Sequence, residues 1–258
     1  GHHRRQRQMC IRDSSSTFSC SFSIDFFFSI VVGAQLKNDI NVSNIVKFLN
    51  KLIMNPGLYL VSTPIGNLDD ITLRAINVLK NSNLILCENT TNSKKLLKRY
   101  DIKTSLSKYT DHDFNKKKDY IYKLLKSNQV ISLISDSGSP LISDPGNQLI
   151  NFLFENQVNV YSIPGASALI SGIQLSGFLN KKKFTFVGFL PKKKEHKEKT
   201  LLENKINNLI IYSTKQQLRK DVYTIASISE TFEIVILKEL TKLYAVSYTH
   251  LTLPTMMS

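Results

Sequence analysis

The stretch LYLVSTPIGNLDDITLRAINVLKNSNLILC (58–87) contains one strand–loop–helix–strand unit. The β-type runs LYLVS at its start and NLILC at its end are short and apolar, as in buried strands. Between them the segment 71–81 has helical periodicity, and Asp69 or Asp70 is expected to cap that helix. The residues that form its apolar face are Ile71, Ala75, Val78 and Leu79.

The same alternation of strand, loop and helix continues along the chain, which predicts an α/β fold with a largely parallel sheet. Later strands are predicted at 130–135, 158–164, 184–190, 208–213 and 232–240. Later helices are predicted at 93–100, 120–128, 147–156, 166–176, 195–206 and 216–227. We expect two α/β domains, 54–180 and 181–245. The second is expected to be incomplete, because the regular pattern stops near Tyr244 after three strands and two helices.

The composition is that of a globular protein with a large positive charge. There are 34 Lys+Arg against 20 Asp+Glu, a formal net charge of +14. Such a surplus favours polyanionic partners, either nucleic acid or an anionic membrane surface, although a lysine-rich composition also arises without selection for binding. The three cysteines have no CxxC spacing, which argues against a disulfide scaffold or a zinc site and suits a reducing cytoplasm.

The two ends differ from the rest of the chain. Arginines precede an apolar stretch at 18–34 in the manner of a signal peptide, but Asp25 interrupts a run that is too short to span a bilayer. RRQRQMCIRDS and VSYTHLTLPT resemble translated sequencing-adapter sequence. We therefore expect residues 1–53 to be a non-native leader that packs poorly, with Met54 as the natural start. Residues 246–258 are expected to be a foreign tail without a strand partner.

Four loops that follow predicted strands carry the residues suited to ligand binding. In parallel sheets, ligands bind where the carboxyl ends of the strands and their loops gather. Taken singly, each loop would be explained by chain turning alone, because Gly, Pro and Asp favour turns. The loops are TPIGNLDD (63–70), SDSGSPLISDPG (135–146), IPGASA (163–168) and GFLPKKK (188–194).

Taken together and in this order, the loops resemble the ribosomal RNA small subunit methyltransferase I family of the tetrapyrrole methylase, or class III, methyltransferases. The resemblance covers about residues 57–243, and TPIGNL stands where tetrapyrrole-modifying relatives carry a GxGxGD-type loop. It implies a cytoplasmic homodimer of two α/β domains with S-adenosylmethionine in the cleft between them. The implied reaction is 2′-O-methylation of a cytidine in 16S rRNA of the small ribosomal subunit, without a metal.

The resemblance also implies which residues contact S-adenosylmethionine. Carboxylates suit its ribose hydroxyls or amino group, and backbone N–H groups suit its carboxylate or adenine. Replacing Gly66 or Gly165 by valine is therefore expected to block close approach of the backbone to the cofactor. The expected contact residues are Pro64, Gly66, Asp136, Ser137, Gly138, Asp144, Pro164, Gly165, Ser167 and Ala168.

The chemistry requires a group that accepts the proton of the ribose 2′-hydroxyl. Three candidates stay open at this point: Glu88, His112 and Asp136. Histidine titrates near neutral pH, but a surface loop also accounts for His112. Glu88 at the end of a buried strand is well placed, but it could instead orient a neighbouring loop.

Lysines around GFLPKKK form the densest basic cluster and are expected to meet RNA phosphates. Lys192, Lys193 and Lys194 are its predicted RNA-binding residues, and the wider cluster includes 181–183, Lys197 and Lys199. The interleaved phenylalanines are expected to be core residues of one strand. They are Phe184, Phe186 and Phe189.

Three motifs depart from the family pattern. ENTT (88–91) replaces EDTR, TDHDF (110–114) replaces an HDHNE-like stretch, and IYSTKQ (211–216) replaces YES(P/T)HR. Two other functions therefore stay open. One is a precorrin or uroporphyrinogen C-methylase, which shares the fold, and the other is a non-catalytic RNA-binding relative.

Overall fold

The structure is a computed structural model, and it describes residues 54–178, 183–204, 207–228, 233–242 and, for the backbone alone, 246–248. The leader predicted at residues 1–53 lies outside the described residues. Within the described ranges, no helix is long and apolar enough to cross a membrane.

The first part of the chain forms a five-stranded parallel sheet. The strands are β1 (Gly57–Val61), β2 (Leu84–Cys87), β3 (Leu106–Lys108), β4 (Val130–Ile134) and β5 (Val160–Ile163). Their order is β3-β2-β4-β1-β5, and β4, at the centre, is buried at all five positions. A run such as VISLI, apolar except for Ser132, suits this position, because helices cover both faces of a parallel sheet. The predicted α/β class is thus confirmed.

Five helices accompany this sheet, and the first four make a separate core on each of its faces. They are α1 (Leu73–Asn81), α2 (Thr90–Arg99), α3 (Phe114–Lys126), α4 (Asn147–Glu155) and α5 (Ala168–Ser176). Residues of α1 and α2 pack with one set of alternate strand side chains, and residues of α3 and α4 pack with the other. Tyr59 and Val61 therefore belong to the first core, whereas Leu58 belongs to the second.

The first helix begins differently from the prediction that Asp69 or Asp70 caps it. Thr72 is the N-cap: its backbone is extended, and its hydroxyl accepts a hydrogen bond from the N–H of Ala75 at 3.1 Å. The two aspartates instead lie in a short 3-10 turn, Leu68–Asp70, which Asn67 caps. Neither carboxylate therefore serves as the cap of α1. All four residues predicted for the apolar face belong to one core cluster, although Ile71 precedes the helix and has an extended backbone.

The second part of the chain contains two smaller sheets. β6 (Phe184–Phe189) and β7 (Asn208–Tyr212) pair in parallel, next to α6 (Lys194–Asn204) and α7 (Leu218–Ile228). β8 (Ile236–Lys238) pairs antiparallel with β9 (Val246–Tyr248). The expectation that residues 246–258 lack a strand partner is therefore wrong for 246–248. An open strand edge such as that of β8 can pair with any extended segment nearby.

Several element boundaries differ from the predicted ones for local reasons. The predicted strand 232–240 is reduced to β8, because Glu239 and Thr241 adopt positive φ angles of 55° and 68° that end it. The polar edge strand β3 carries no apolar run and was not predicted. Helix α5 begins only at Ala168, since Ser167 is still extended with φ −145°.

The capping contact of α1 predicts a measurable loss of stability. Thr72→Ala removes the acceptor for the N–H of Ala75 and should lower the free energy of unfolding by about 1 kcal/mol. Thr72→Ser keeps a hydroxyl at the same place and should retain most of that free energy. Urea unfolding followed by circular dichroism measures both variants. Equal losses in the two variants would contradict the capping role.

Candidate active site

The first two predicted ligand loops are joined directly after strands β1 and β4. The N–H of Thr63 donates to the carbonyl of Gly138 at 2.8 Å, and the N–H of Gly138 donates back at 3.1 Å. The Thr63 hydroxyl also donates to the carbonyl of Ser135 at 3.1 Å. Gly138 has φ +85°, a conformation that favours glycine. The two loops therefore form one rigid unit at the carboxyl edge of the sheet.

The third loop joins the same edge through Ser62 at the end of β1. A Cβ atom added to Gly165 would lie 2.9 Å from the Cβ atom of Ser62, so only glycine lets these loops approach so closely. The hydroxyl of Ser62 lies 3.0 Å from that of Ser139 in the second loop. The structure thus brings three of the four predicted loops together.

A cavity of about 520 Å³ lies beside these loops, within the size range of small-molecule sites. Residues of β6, β7 and β8 complete its lining, so the first and the second part of the chain both contribute to its walls. Five of the predicted cofactor residues line it: Ser137, Gly138, Asp144, Ser167 and Ala168.

The phenylalanines of β6 are not the core residues that the sequence predicted. Phe184 is 47% exposed and Phe189 is 55% exposed, and both line the cavity. Phe186 is partly buried and makes a T-shaped contact with Tyr212, with ring centroids 4.9 Å apart. A β-bulge between Phe186 and Gly188 shifts the register, which breaks the alternation that the prediction assumed. The cavity therefore has an aromatic wall.

Two predicted cofactor residues line a second, smaller cavity of about 230 Å³ instead. Pro64 and Asp136 belong to it, together with Asn92 and Lys95 of helix α2. The Asn92 side-chain amide donates to Oδ2 of Asp136 at 2.7 Å. The predicted cofactor set is thus divided between two neighbouring cavities.

The remaining predicted cofactor residues line neither cavity. A Cβ atom on Gly66 would lie 2.8 Å from the carbonyl oxygen of Leu240, and the N–H of the next residue, Asn67, donates to the Thr241 hydroxyl at 3.2 Å. Gly165 and the adjacent Pro164 belong to the loop that meets Ser62. Valine at either glycine would therefore clash with the protein itself, a reason for reduced binding that the sequence did not show.

The carboxylate of Asp144 lies near two other acids at the edge of the sheet. Burial, together with the negative charges of Glu88 and Asp136, raises the pKa of Asp144 to about 6, although a hydrogen bond with Ser135 partly opposes this shift. Two predicted proton acceptors, Glu88 and Asp136, thus lie within electrostatic reach of Asp144. The sequence assigned Asp144 only to cofactor binding, and its partial burial beside other acids was not visible there.

The third predicted proton acceptor, His112, is exposed and lines neither cavity. It lies in a 3-10 turn, Asp111–Asp113, whose first residue accepts a hydrogen bond from the N–H of Gly146 at 2.8 Å. Asp111 therefore ties this turn to the end of the second ligand loop. Within the described residues, no group of three or more His, Cys, Asp and Glu side chains could hold a metal ion.

Helix α5 presents its amino end to the larger cavity. Ser167 and Ala168 line that cavity, and the Ser167 side chain makes no capping hydrogen bond. The first N–H groups of a helix have no partner within it and carry a partial positive charge. This end can therefore bind a carboxylate or another hydrogen-bond acceptor.

Tyr212 is a site residue that sequence reasoning missed. It lines the cavity beside Phe189, with ring centroids 5.7 Å apart. Burial and the charge of Asp144 raise the pKa of Tyr212, whereas a hydrogen bond with the backbone of Leu169 opposes this shift. The sequence signal for Tyr212 is its position within the IYSTKQ motif. The prediction considered only the acid and the bases that this motif lacks.

The predicted RNA-binding lysines are exposed. Lys192 and Lys193 lie just before α6, and Lys194 is its first residue. Lys197, one turn further on, is the exception within the wider cluster, because it is 3% exposed and pairs with Asp221 at 2.5 Å. It cannot meet RNA phosphates. Residues 181 and 182 lie outside the described residues, whereas Lys183 is exposed.

Comparisons with known proteins agree with this architecture. The family model for tetrapyrrole (corrin/porphyrin) methylases matches residues 57–253. Ribosomal RNA small subunit methyltransferase I of Rickettsia prowazekii is 46% identical over 195 residues, which are 75% of this chain and 69% of the relative. The protein of the same name from Mesomycoplasma conjunctivae is 45% identical over 204 residues, 76% and 82% of the two chains.

The chain belongs to the ribosomal RNA small subunit methyltransferase I family. A uroporphyrin III C-methyltransferase structure from Thermus thermophilus superposes with a TM-score of 0.55 at 13% identity, covering 75% of this chain and 87% of that one. At this identity the likeness shows the fold alone. It confirms the tetrapyrrole methylase fold that the loops predicted.

One departure from the family pattern has a local explanation. Asn89, at the position of the aspartate of EDTR, caps helix α2: its side-chain oxygen accepts from the N–H groups of Thr91 at 2.9 Å and Asn92 at 3.3 Å. Asparagine and aspartate are equally good caps, so the helix keeps its start when the charge is lost.

The raised pKa of Asp144 predicts a specific pH dependence of stability. Its native pKa of about 6 exceeds the ordinary value of about 3.9, so the native state binds more protons than the unfolded state between these values. This group therefore lowers stability as the pH rises from about 4 to 6. Asp144→Asn should unfold with a free energy up to about 3 kcal/mol higher at pH 7–8.

Urea unfolding of the Asp144→Asn variant between pH 4 and pH 8 tests this expectation. Asp101→Asn is the matched control, since Asp101 is an exposed carboxylate beside the exposed Lys103 and its loss should change little. Lower stability of Asp144→Asn at pH 7 would contradict the inferred environment.

Proposed function

We propose that the protein methylates the RNA of the small ribosomal subunit, using S-adenosylmethionine, at the 2′-hydroxyl of a cytidine ribose. Family membership supports ribosomal RNA as the substrate, because the relatives from Rickettsia prowazekii and Mesomycoplasma conjunctivae are named for it. The observation that carries the proposal is the larger cavity. It joins the first three predicted ligand loops to an aromatic wall and to the half-buried Asp144.

The residues of this cavity fit S-adenosylmethionine by their chemistry. The amino end of α5 suits the cofactor carboxylate, and Asp144 suits its ammonium group or ribose hydroxyls. Phe184 and Phe189 offer aromatic faces to adenine. When bound, the cofactor supplies an electrophilic methyl group on a sulfonium, and no metal is needed for its transfer.

The protein must then orient the ribose and accept the proton of its 2′-hydroxyl. Asp144, with a pKa of about 6, is largely ionised at neutral pH yet basic enough to accept a proton, so it joins Glu88 and Asp136 as a candidate base. The exposed position of His112 favours the carboxylates over it. Burial and the negative charges of Glu88 and Asp136 raise the proton affinity of Asp144, which suits a general base.

The exposed lysines at the start of α6 supply positive charge for RNA phosphates. We propose that Lys192, Lys193 and Lys194 bind the rRNA backbone, with Lys95 at the mouth of the smaller cavity as a further contact. A ribosomal substrate also implies action in the cytoplasm, and the family resemblance implies a homodimer.

The lysine cluster predicts a salt-dependent loss of RNA binding. Changing Lys192, Lys193 and Lys194 to Ala should reduce methylation of small subunits. The slope of log affinity against log salt concentration should also become less steep by about 2–3. Each lost phosphate contact contributes about 0.7–0.9 to that slope. Binding of S-adenosylmethionine should be unchanged. Tritium transfer from labelled cofactor to unmethylated subunits, with the product mapped as a ribose-methylated cytidine, measures the activity.

A control triple variant removes the same charge elsewhere. Lys80, Lys103 and Lys126 are exposed and line neither cavity, so their change to Ala should preserve most of the transfer. Equal losses of methylation in the two triple variants would show that only the number of positive charges matters and that Lys192, Lys193 and Lys194 form no specific RNA site. Transfer to uroporphyrinogen and none to RNA would favour the C-methylase, and cofactor binding without transfer to either would favour the non-catalytic relative.

A further inference from the structure

Two opposite charges are buried between helices α6 and α7. The Nζ atom of Lys197 lies 2.5 Å from Oδ1 of Asp221, and the two residues are only 3% and 5% exposed. Taking such a pair out of water costs free energy that a well-packed apolar pair would avoid. A gain in stability alone therefore does not account for the pair.

The second oxygen of the same carboxylate extends this network to the wall of the larger cavity. The hydroxyl of Ser213, which lines that cavity, donates to Oδ2 of Asp221 at 2.6 Å. The other acceptor in reach, the carbonyl of Thr214, is 3.4 Å away and therefore much weaker. An ionised carboxylate has no proton to donate, so Ser213 commits its single proton to Asp221. Only its lone pairs remain for a ligand.

We propose that Lys197 and Asp221 are positioning residues that make Ser213 an acceptor-only group, which recognises a hydrogen-bond donor of the bound cofactor. The assignment rests on the proposed function, in which S-adenosylmethionine occupies the cavity. Its donors are the exocyclic amino group of adenine, the ribose hydroxyls and the ammonium group. A free hydroxyl would accept or donate equally well, whereas a fixed one discriminates against ligands that present only acceptors.

The first test measures the affinity of the full chain for S-adenosylhomocysteine by calorimetry. Ser213→Ala should weaken binding about tenfold, or about 1.4 kcal/mol. Ser227→Ala is the matched control: its hydroxyl donates to the Thr224 carbonyl within α7, the helix that carries Asp221, and it does not line the cavity. Its affinity should equal that of the unaltered protein.

A second pair of variants separates positioning from structural support. In Asp221→Asn the new side-chain amide can donate a hydrogen bond to the hydroxyl oxygen of Ser213. That hydrogen bond uses the lone pairs of the oxygen and leaves the hydroxyl proton free. This variant also leaves Lys197 buried without its counter-charge, so it should be unstable. Adding Lys197→Met removes that charge and should recover much of the stability, while binding stays about tenfold weak. Affinity that recovers together with stability would show that the pair only supports the fold.

Two analogues identify the donor. 5′-Methylthioadenosine lacks the amino-acid part, and S-inosylhomocysteine lacks the exocyclic amino group. If the Ser213→Ala penalty disappears with one of them, the missing group is the donor, and a penalty that persists with both assigns a ribose hydroxyl. Unchanged affinity of Ser213→Ala, while the unaltered protein binds, would overturn this assignment alone. No binding by the unaltered protein would overturn the proposed cofactor and this assignment with it.

Discussion

The backbone bridge between Thr63 and Gly138 is the constraint on which the site depends. Two hydrogen bonds fix the loop after β1 to the loop after β4, at the edge where a parallel sheet exposes its carboxyl ends. The positive φ of Gly138 makes this close pairing possible. Because Ser62 brings the third loop to the same place through Gly165, the sheet converts three separate turns into one wall of the cavity.

The sequence predicted the parts of the structure that follow from local periodicity. β1, β2 and β4 are largely apolar runs whose side chains alternate between the two cores, and the four residues predicted for the apolar face of the first helix do pack together. The capping residue of α1 could not be found in this way. Asp69, Asp70 and Thr72 are all good caps, and only the intervening 3-10 turn decides between them.

The site was predictable as a set of loops but not as a set of contacts. A Gly, Pro and Asp pattern shows where the chain turns, yet it cannot show whether a glycine faces a ligand or another segment, as Gly66 faces Leu240. Charge patterning failed at Lys197 for the same reason. Its partner Asp221 lies 24 residues away on another helix, so a run of lysines in the sequence cannot reveal that one of them is buried.

The distribution of charge connects the cavity to its proposed polyanionic substrate. A chain with a net charge of +14 attracts RNA over its whole surface. A proton acceptor must nevertheless lie away from those cations, because a neighbouring positive charge lowers the pKa of a carboxylate and makes it less basic. The cluster of Glu88, Asp136 and Asp144 meets this requirement, because burial and the negative neighbours raise the pKa of Asp144, whereas a neighbouring lysine would lower it. Lys197 carries a cation close to the same cavity, and Asp221 compensates that charge. Lys197 therefore leaves no uncompensated charge beside Ser213 at the wall of the cavity.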